Sequence, residues 1–215
     1  MPGSRTQPSL IGVWVAAALL LAACAGPWKN SPQQLSGPQW TLRSPEGWVH
    51  LSTPDSEMLS RDGPYLAYIL IHSRPLDHGL RFTQQKLDPG VLPHEAARII
   101  TDNLRCDPLI RQFRLLAGEP ATVDGHDGFK LVYSFLDSYD VTIKTVYYGV
   151  VLSDRFFNLR FTATERHYFE AEYPTFNQVF ESLRLAGDRR DQDVVRSVSA
   201  AGQRIRSSSL GQESR

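Results

Sequence analysis

The fold is decided by residues 141–164, which read VTIKTVYYGVVLSDRFFNLRFTAT. The stretch from Val141 to Leu152 is rich in β-branched and aromatic residues, a composition typical of a long strand. Because the link Ser153-Asp154-Arg155 is so short, the next strand has to run antiparallel to the first. Alternation then predicts a half-buried second strand. Its inward-pointing residues are Phe157, Leu159, Phe161 and Ala163, and its outward-pointing residues are Asn158, Arg160, Thr162 and Thr164.

Strands are also predicted before this stretch. The cluster Asp124-Gly125-His126-Asp127-Gly128 predicts a turn in which two glycines supply positive φ angles. Alternating apolar residues from Phe129 to Phe135 then indicate a strand. Residues 113–116 and 121–123 are short strand candidates, and residues 65–72 are apolar on both faces, as in a strand covered on two sides.

Two helices complete the predicted domain. Pro93-His94-Glu95 suits a helix start, because proline fits the first turn and glutamate its dipole, and Asp107-Pro108 ends that helix. Four aromatic residues and Leu183, spaced by three and four from Phe169 onward, mark the second helix. Pro174 predicts that its regular part begins there, with a turn or irregular helix before it. The expected fold class is α+β, an antiparallel β-sheet with helices packed on it.

Composition restricts the classes of protein to which the chain can belong. The 215 residues are 41% hydrophobic and 21% charged, which is ordinary for a globular domain and too apolar for a mostly disordered chain. The 23 basic residues equal the 23 acidic ones, so no basic excess points to nucleic acid as a partner. Two cysteines are too few for a disulfide-rich scaffold.

The beginning of the chain reads as a targeting segment. An unbroken apolar run of 12 residues, Leu10 to Leu21, would span only roughly 18 Å as a helix, well short of the ~30 Å hydrocarbon core of a bilayer. This length is normal for a signal peptide. The run ends in Leu21-Ala22-Ala23-Cys24, which resembles a bacterial lipobox.

That resemblance implies that residues 1–23 are a lipoprotein signal peptide and that Cys24 is lipidated with diacylglyceryl and a further acyl group such as palmitate. The alternative is an ordinary secretory signal with a chance cysteine, since Arg5 is the single cationic side chain before the run. Several buried acyl chains would hold the protein on a membrane. The expected location is the bacterial cell envelope, on its periplasmic or extracellular face. Ala25 after the cysteine favours the outer membrane if the cell is Gram-negative.

The mature chain divides into three parts by composition. Residues 24–39 comprise the lipidated cysteine and a stretch rich in Pro, Gly, Ser and Gln, which predicts a flexible tether. Residues 40–186 form the predicted domain, and residues 187–215 lack aromatics and read as a polar, disordered tail. If Cys24 carries lipid, no internal disulfide can form. Cys106, on the apolar side of the first helix, is then expected to be a buried, inert thiol.

The order of elements and aromatic positions in the domain resembles the Mog1/PsbP-like family. The segments that carry the resemblance lie at residues 48–54, 122–133, 147–151, 156–163 and 176–183. The resemblance covers residues 40–186 and implies an α-β sandwich. Members of this family are mostly non-enzymatic, so it supplies no catalytic residues, and Ser182-Leu183 stands where the family often has Ser-Phe.

No catalytic, cofactor-binding or metal-binding residues are predicted. The chain lacks a nucleophile elbow, a phosphate-binding Gly-rich loop and a His-Glu-x-x-His motif. The His126-Asp127 pair is better explained by turn chemistry than by a general base. Glu165, Glu170 and Glu172 read as a charged helix entrance. The histidines are expected to lie dispersed at the surface: His50, His72, His78, His94, His126 and His167.

Two functional hypotheses follow. The first is a membrane-anchored, non-catalytic envelope lipoprotein that contacts an unidentified protein partner in the assembly or maintenance of an envelope complex. The alternative is a carrier for a lipid or small apolar ligand, which requires that some aromatic residues line a cleft between sheet and helix. The candidates for such a lining are Tyr133, Phe135, Tyr147, Tyr148, Phe157 and Phe161.

Overall fold

The computed structural model describes residues 28–186, so the predicted signal peptide 1–23, Cys24 and the predicted tail 187–215 lie outside the described residues. In chain order the elements are β1 (Lys29–Asn30), β2 (Gln34–Gly37), β3 (Trp40–Arg43), β4 (Val49–Ser52), β5 (Ser56–Ser60), β6 (Ala67–Pro75), α1 (Pro93–Arg105), β7 (Arg111–Val123), β8 (His126–Leu136), β9 (Thr142–Val151), β10 (Arg155–Thr164), α2 (Tyr168–Ser182) and β11 (Arg184–Leu185). This is the expected α+β class.

Eight strands form one antiparallel sheet in the order β1-β4-β5-β6-β10-β9-β8-β7. The tight β9–β10 connection predicted from the sequence is confirmed, because the Leu152 N–H donates to the Arg155 carbonyl at 2.8 Å. β10 lies inside the sheet between β6 and β9 and is paired along its whole length. A smaller antiparallel sheet has the order β11-β3-β2.

The two helices cover opposite faces of the large sheet. On the α2 side, α2 and the small sheet pack on the odd-numbered residues of β10, and Phe161 stacks on Phe176 with ring centroids 5.5 Å apart. On the α1 side, α1 packs against β7, β8 and β9 over a second apolar cluster that includes Phe129 and Phe156. The predicted helix start is confirmed: Pro93 is the first residue of α1, and the Leu92 N–H donates to Glu95 Oε2 at 3.3 Å.

The prediction of a half-buried β10 is wrong for its polar face. Asn158 is 4% exposed and Thr162 is 5% exposed, so both faces of this strand are covered. A strand with a neighbour on each side loses its solvent face when other segments cross it. Here the loop after α1 and the β8–β9 loop lie beside Arg160 and Thr162, and Phe156 packs with the loop that precedes α1. Alternation in the sequence shows which residues share a face but not whether that face meets water.

The segment expected to be a tether belongs partly to the domain. β1 pairs with β4 and β2 pairs with β3, and Leu35 is only 6% exposed in the core on the α2 side. The polar composition of residues 24–39 misled the prediction because a single buried leucine and backbone pairing to a neighbouring strand suffice to fix so short a segment. The ordered domain therefore begins before residue 40.

The β7–β8 hairpin differs from the prediction in two respects. The two short strand candidates are parts of one strand, β7, whose pairing with β8 has irregularities between Arg111 and Arg114 and between Leu115 and Ala117. The turn itself is only Asp124-Gly125, both at positive φ. Gly128 lies within β8, where a Cβ atom would approach the Gly149 carbonyl oxygen to 2.5 Å, so close backbone packing requires this glycine.

The last helix starts earlier than expected, at Tyr168 rather than at Pro174. Phe169 and Tyr173 stack at 5.5 Å and both contact Phe161, and these contacts hold the turns before the proline. Glu172 is correspondingly 3% exposed rather than part of a solvated helix entrance.

Cys106 is exposed, contrary to the expectation of a buried thiol. It is the C-cap residue of α1, beyond the last residue that presents a side chain to the sheet. No helix within residues 28–186 is long and apolar enough to cross a membrane.

Candidate functional site

A cavity of about 400 Å³ opens on the α1 side of the sheet, and we call it the Arg160 cavity. It lies at the end of the sheet where β8 and β10 finish and β6 and β9 begin. The loop after α1 and the β8–β9 loop form its outer wall. Because α1 ends at Arg105 and packs on β7, β8 and β9, it leaves this end of the sheet face uncovered by a helix.

Arg160 is the main charged group of the cavity. It lies on β10 opposite Leu70 of β6 and Tyr147 of β9. Its Nε is buried and has no hydrogen-bond partner, and the guanidinium forms no ion pair with a carboxylate of residues 28–186. The residue as a whole is partly buried and lines the cavity. A partly buried charge without a carboxylate partner is unfavourable for folding, so this arginine is an exception to the usual pairing of interior cations.

Tyrosines rather than carboxylates surround Arg160. Burial acts to lower the pKa of Arg160, but the nearby Tyr68, Tyr133 and Tyr147 together act more strongly to raise it. The pKa therefore lies above its ordinary value. Burial raises the pKa of both Tyr133 and Tyr147. These phenols therefore stay neutral near pH 7 while the guanidinium stays charged. The cavity floor carries a positive charge that no carboxylate of residues 28–186 pairs with.

The acidic residues at the cavity wall are already engaged with the backbone. Asp107 Oδ1 accepts the Leu109 N–H at 2.9 Å. Asp137 Oδ1 accepts the N–H groups of Tyr139 and Val141 at 2.8 and 2.9 Å. Both carboxylates thus shape the loops, and a second cation, Arg81, also lines the cavity.

The mouth of the cavity is apolar. Tyr65, Leu109 and Tyr139 are 79%, 70% and 75% exposed, and all three line the cavity. Large apolar side chains so exposed are unusual when they occur together, and such groups often mark a binding site. The cavity therefore combines a charged floor with an apolar rim.

A histidine lies beside Arg160 on the same face of the sheet. Asn158 Nδ2 is 3.1 Å from His72 Nδ1, which fits donation to an unprotonated ring nitrogen. Burial, followed by the charges of Arg160 and Arg74, lowers the pKa of His72 from 6.5 to about 4. His72 is therefore neutral near pH 7 and adds no charge to this face.

The other polar residues considered from the sequence do not form a common site in the structure. His126 begins β8 at the hairpin turn, as turn chemistry suggested. Within residues 28–186 no group of three His, Cys, Asp or Glu side chains is arranged to hold a metal ion. Glu172 pairs with Arg61 at 2.5 Å, and Glu170 lies 3.8 Å from Lys144. Cys24 lies outside the described residues.

Two of the six candidate aromatic residues, Tyr133 and Phe135, line the Arg160 cavity. Tyr147 is buried on the same side, whereas Phe157, Phe161 and Tyr148 pack on the α2 side. The sequence analysis missed Arg160, which alternation placed in solvent. The available signal was an arginine in the middle of a strand whose other residues, apart from Arg155 at its first position, are apolar or neutral.

A second surface feature is the outer edge of the sheet. β7 pairs with β8 on one side, and most of its 13 residues are exposed, including Leu115 and Leu116. A shallow groove of about 300 Å³ separates β7 from α1 and is lined in part by Leu115. Unpaired strand edges can receive a further strand from another chain.

None of the protein-family models searched matches the chain, and no curated protein sequence does. Solved structures similar to it include PsbP (CyanoP) from Synechocystis sp. PCC 6803, with 16% identity and a TM-score of 0.48 over 75% of this chain and 96% of that one. They include the Ran-binding protein Mog1p of Saccharomyces cerevisiae, with 9% identity and a TM-score of 0.47 over 74% and 97%. They also include LpqN, involved in cell envelope biogenesis of Mycobacterium tuberculosis, with 14% identity and a TM-score of 0.37 over 75% and 87%.

Both names in the Mog1/PsbP resemblance drawn from the sequence therefore occur among the similar structures. The similarity concerns the fold.

Proposed function

We propose that the protein is a lipid-anchored, non-catalytic component of the bacterial cell envelope that acts by contact with a partner protein in the assembly or maintenance of an envelope complex. The apolar run followed by Leu21-Ala22-Ala23-Cys24 supports the anchor. The proposed location of the domain is the periplasmic or extracellular face, and Ala25 favours the outer membrane over the inner one if the cell is Gram-negative.

The β7 edge is the surface that best supports contact with a protein. A partner strand could pair with its outer backbone groups, while Leu115 and Leu116 offer apolar contacts beside the groove along α1. Strand addition of this kind obtains affinity from main-chain hydrogen bonds and specificity from side chains next to the edge. The exposed edge is the observation that carries this part of the proposal.

The anchor is tested with Cys24→Ser in cells fed tritiated palmitate. The expected result is an unprocessed precursor without label, and globomycin should block processing of the unmodified chain in the same way. Cys106→Ser is the matched control, because this exposed cysteine lies in the domain and its loss should leave both processing and label unchanged. Normal processing and labelling of Cys24→Ser would contradict the anchor.

Partner contact is tested by placing a photo-crosslinking residue at position 116 in intact cells, with position 46 in the exposed β3–β4 loop as control. A discrete crosslinked species should form from position 116 alone. It should disappear when Leu115→Lys is introduced beside the probe, since charge on an edge strand opposes strand addition. Equal crosslinking from both positions would argue against the β7 edge.

The second candidate function, a carrier for a lipid or small apolar ligand, is favoured by one observation: the Arg160 cavity, with Tyr133 and Phe135 in its lining. Its volume falls within the range of small-molecule sites. Native mass spectrometry of the purified chain should then show a bound mass that denaturation releases. A chain without any such mass would count against a carrier.

A further inference from the structure

The Arg160 cavity has two features that a filled structural core lacks. Arg160 Nε is buried without a hydrogen-bond partner, and no carboxylate of residues 28–186 pairs with the guanidinium. Apolar side chains continue from this point to the mouth, from Phe135 and Ile143 inside to Tyr65 and Tyr139 at the rim. The cavity is thus charged where it is buried and apolar where it opens.

We propose that the Arg160 cavity binds an anionic amphiphile, with its carboxylate or phosphate head group on Arg160 and its hydrocarbon chain against the apolar wall and rim. The inference rests on the second candidate function, in which the cavity holds a ligand, and it assigns the chemical class of that ligand. It is independent of the lipid anchor and of contact at the β7 edge.

The charge of Arg160 favours an anionic ligand. A guanidinium presents its N–H donors in a planar fork that matches a carboxylate or phosphate, and such charge-assisted pairs are about twice as strong as neutral hydrogen bonds. The head group would pair with the terminal nitrogens of the guanidinium, because Nε itself is closed to the cavity. Arg81, also in the lining, adds positive charge, while Asp107 and Asp137 hold loop N–H groups.

The hydroxyls of the floor set the orientation of the head group. Tyr68, Tyr133 and Thr145 line the cavity near Arg160, and Thr145 and Thr162 hydroxyls lie 3.1 Å apart. These neutral donors can supplement the guanidinium without adding charge. A wholly apolar ligand would leave the arginine desolvated and unpaired, which disfavours it.

Equilibrium dialysis of radiolabelled octanoate, octyl phosphate and octanol tests the proposal. The full chain is held in phosphatidylcholine nanodiscs, and empty nanodiscs are measured alongside to subtract partition into lipid. At least one of octanoate and octyl phosphate should bind, and their ratio distinguishes a fatty-acid source from a lipid-phosphate source. Octanol should bind at least about 10-fold more weakly, because it lacks the charge that Arg160 pairs.

Arg160→Met removes the cation and keeps a long apolar side chain, and it should weaken binding of the anion by about 10- to 100-fold, the range of one charge-assisted pair. Arg160→Lys should retain part of the affinity. Arg114→Met, on the exposed β7, is the matched control and should bind like the unmodified chain. Circular dichroism verifies that each variant is folded.

Three results would overturn the inference. Equal binding of octanol and the anions would leave a carrier of apolar ligands but remove the anion. Unchanged binding in folded Arg160→Met would remove the assigned site. Absence of binding by all three probes would reject both this inference and the carrier, while the anchor and the β7 contact would stand or fall by their own tests.

Discussion

The two faces of β10 are both buried, yet they differ in chemistry. On the α2 side Phe157, Leu159 and Phe161 are fully buried in an aromatic core that α2 seals. On the α1 side the same strand presents Asn158, Arg160 and Thr162. The first face stabilises the fold by excluding water from apolar surface. The second face holds polar groups at a cost in stability, which is the pattern of a binding site.

The charged groups held on the two faces show the same contrast. Glu172 on the α2 side has a partner, Arg61, at 2.5 Å. Arg160 on the α1 side has no anionic partner among the described residues. The presence or absence of a carboxylate or guanidinium partner therefore distinguishes the charged group that supports the fold from the one that lines the cavity.

The largest effect is expected from Phe176→Ala. Phe176 is 0% exposed and packs against Phe161, Tyr173 and Phe180, so the substitution leaves a cavity in the α2-side core. The free energy of unfolding should fall by about 3–5 kcal/mol. Urea denaturation measures it, with Tyr65→Ala at the exposed rim as a control that should change little. A loss below 1 kcal/mol, within about the spread of surface substitutions, would contradict a sealed core.

The next effect is a pH dependence on the α1 side. The unfolded chain takes up a proton on His72 near pH 6.5, whereas the folded protein does so only near pH 4. Between these values the unfolded state binds more protons, so stability falls as the pH falls, by up to about 3 kcal/mol in total.

Unfolding of the unmodified chain and His72→Gln from pH 7 to pH 4 checks this expectation. The substitution should flatten the pH dependence in that window, while His78→Gln, at an exposed loop position, should not. Parallel curves for His72→Gln and the unmodified chain would show that this face does not disfavour charge.

A smaller effect is expected from Arg61→Met, which leaves the buried Glu172 carboxylate without its partner. Because Arg61 itself is half exposed, solvent offsets part of the loss. The free energy of unfolding should fall by about 1–3 kcal/mol. Asp62→Asn is the matched control, since Asp62 contacts Arg61 at an exposed position, and its effect in the same denaturation assay should be smaller. Equal effects would mean that burial of Glu172 is unimportant.

The smallest effect on stability, and one of opposite sign, is expected from Arg160→Met. Removing a partly buried cation that has no carboxylate partner in favour of an apolar side chain should leave the melting temperature unchanged or raise it slightly. Calorimetry of this variant beside Arg114→Met gives the comparison. A fall in melting temperature as large as that of Arg61→Met would show that Arg160 has a structural partner and would weaken the contrast between the faces.

The sequence predicted the helices and strands better than it predicted which of their residues are buried. The β9–β10 hairpin, the start of α1 and the aromatic α2-side face follow from alternation, turn residues and capping, which act over a few neighbouring positions. The burial of Asn158 and the ordered strands before residue 40 could not be predicted in this way, because they depend on partners distant along the chain: Asn158 contacts His72, and Leu35 pairs with Leu42 and packs in a core formed by later strands.

The candidate site was only half predicted. Tyr133 and Phe135 were identified as residues that could line a cleft, and they do line the Arg160 cavity. Arg160 was placed in solvent, because a lone arginine in an alternating strand has no local feature that distinguishes a buried position from an exposed one. The cavity is formed by residues from Pro64 to Ala163, and no window of sequence contains it.

By itself the sequence determined the class of fold and which residues share each face of β10, since both depend on backbone geometry with a period of two residues. It also predicted lipid attachment at Cys24 and, with it, a location in the cell envelope. Tertiary structure alone decided which face is apolar core and which is a charged cavity, because burial of a side chain depends on the helix and loops that cross it. Arg160, in the middle of β10, thus came to line a cavity in which no carboxylate of residues 28–186 pairs with it.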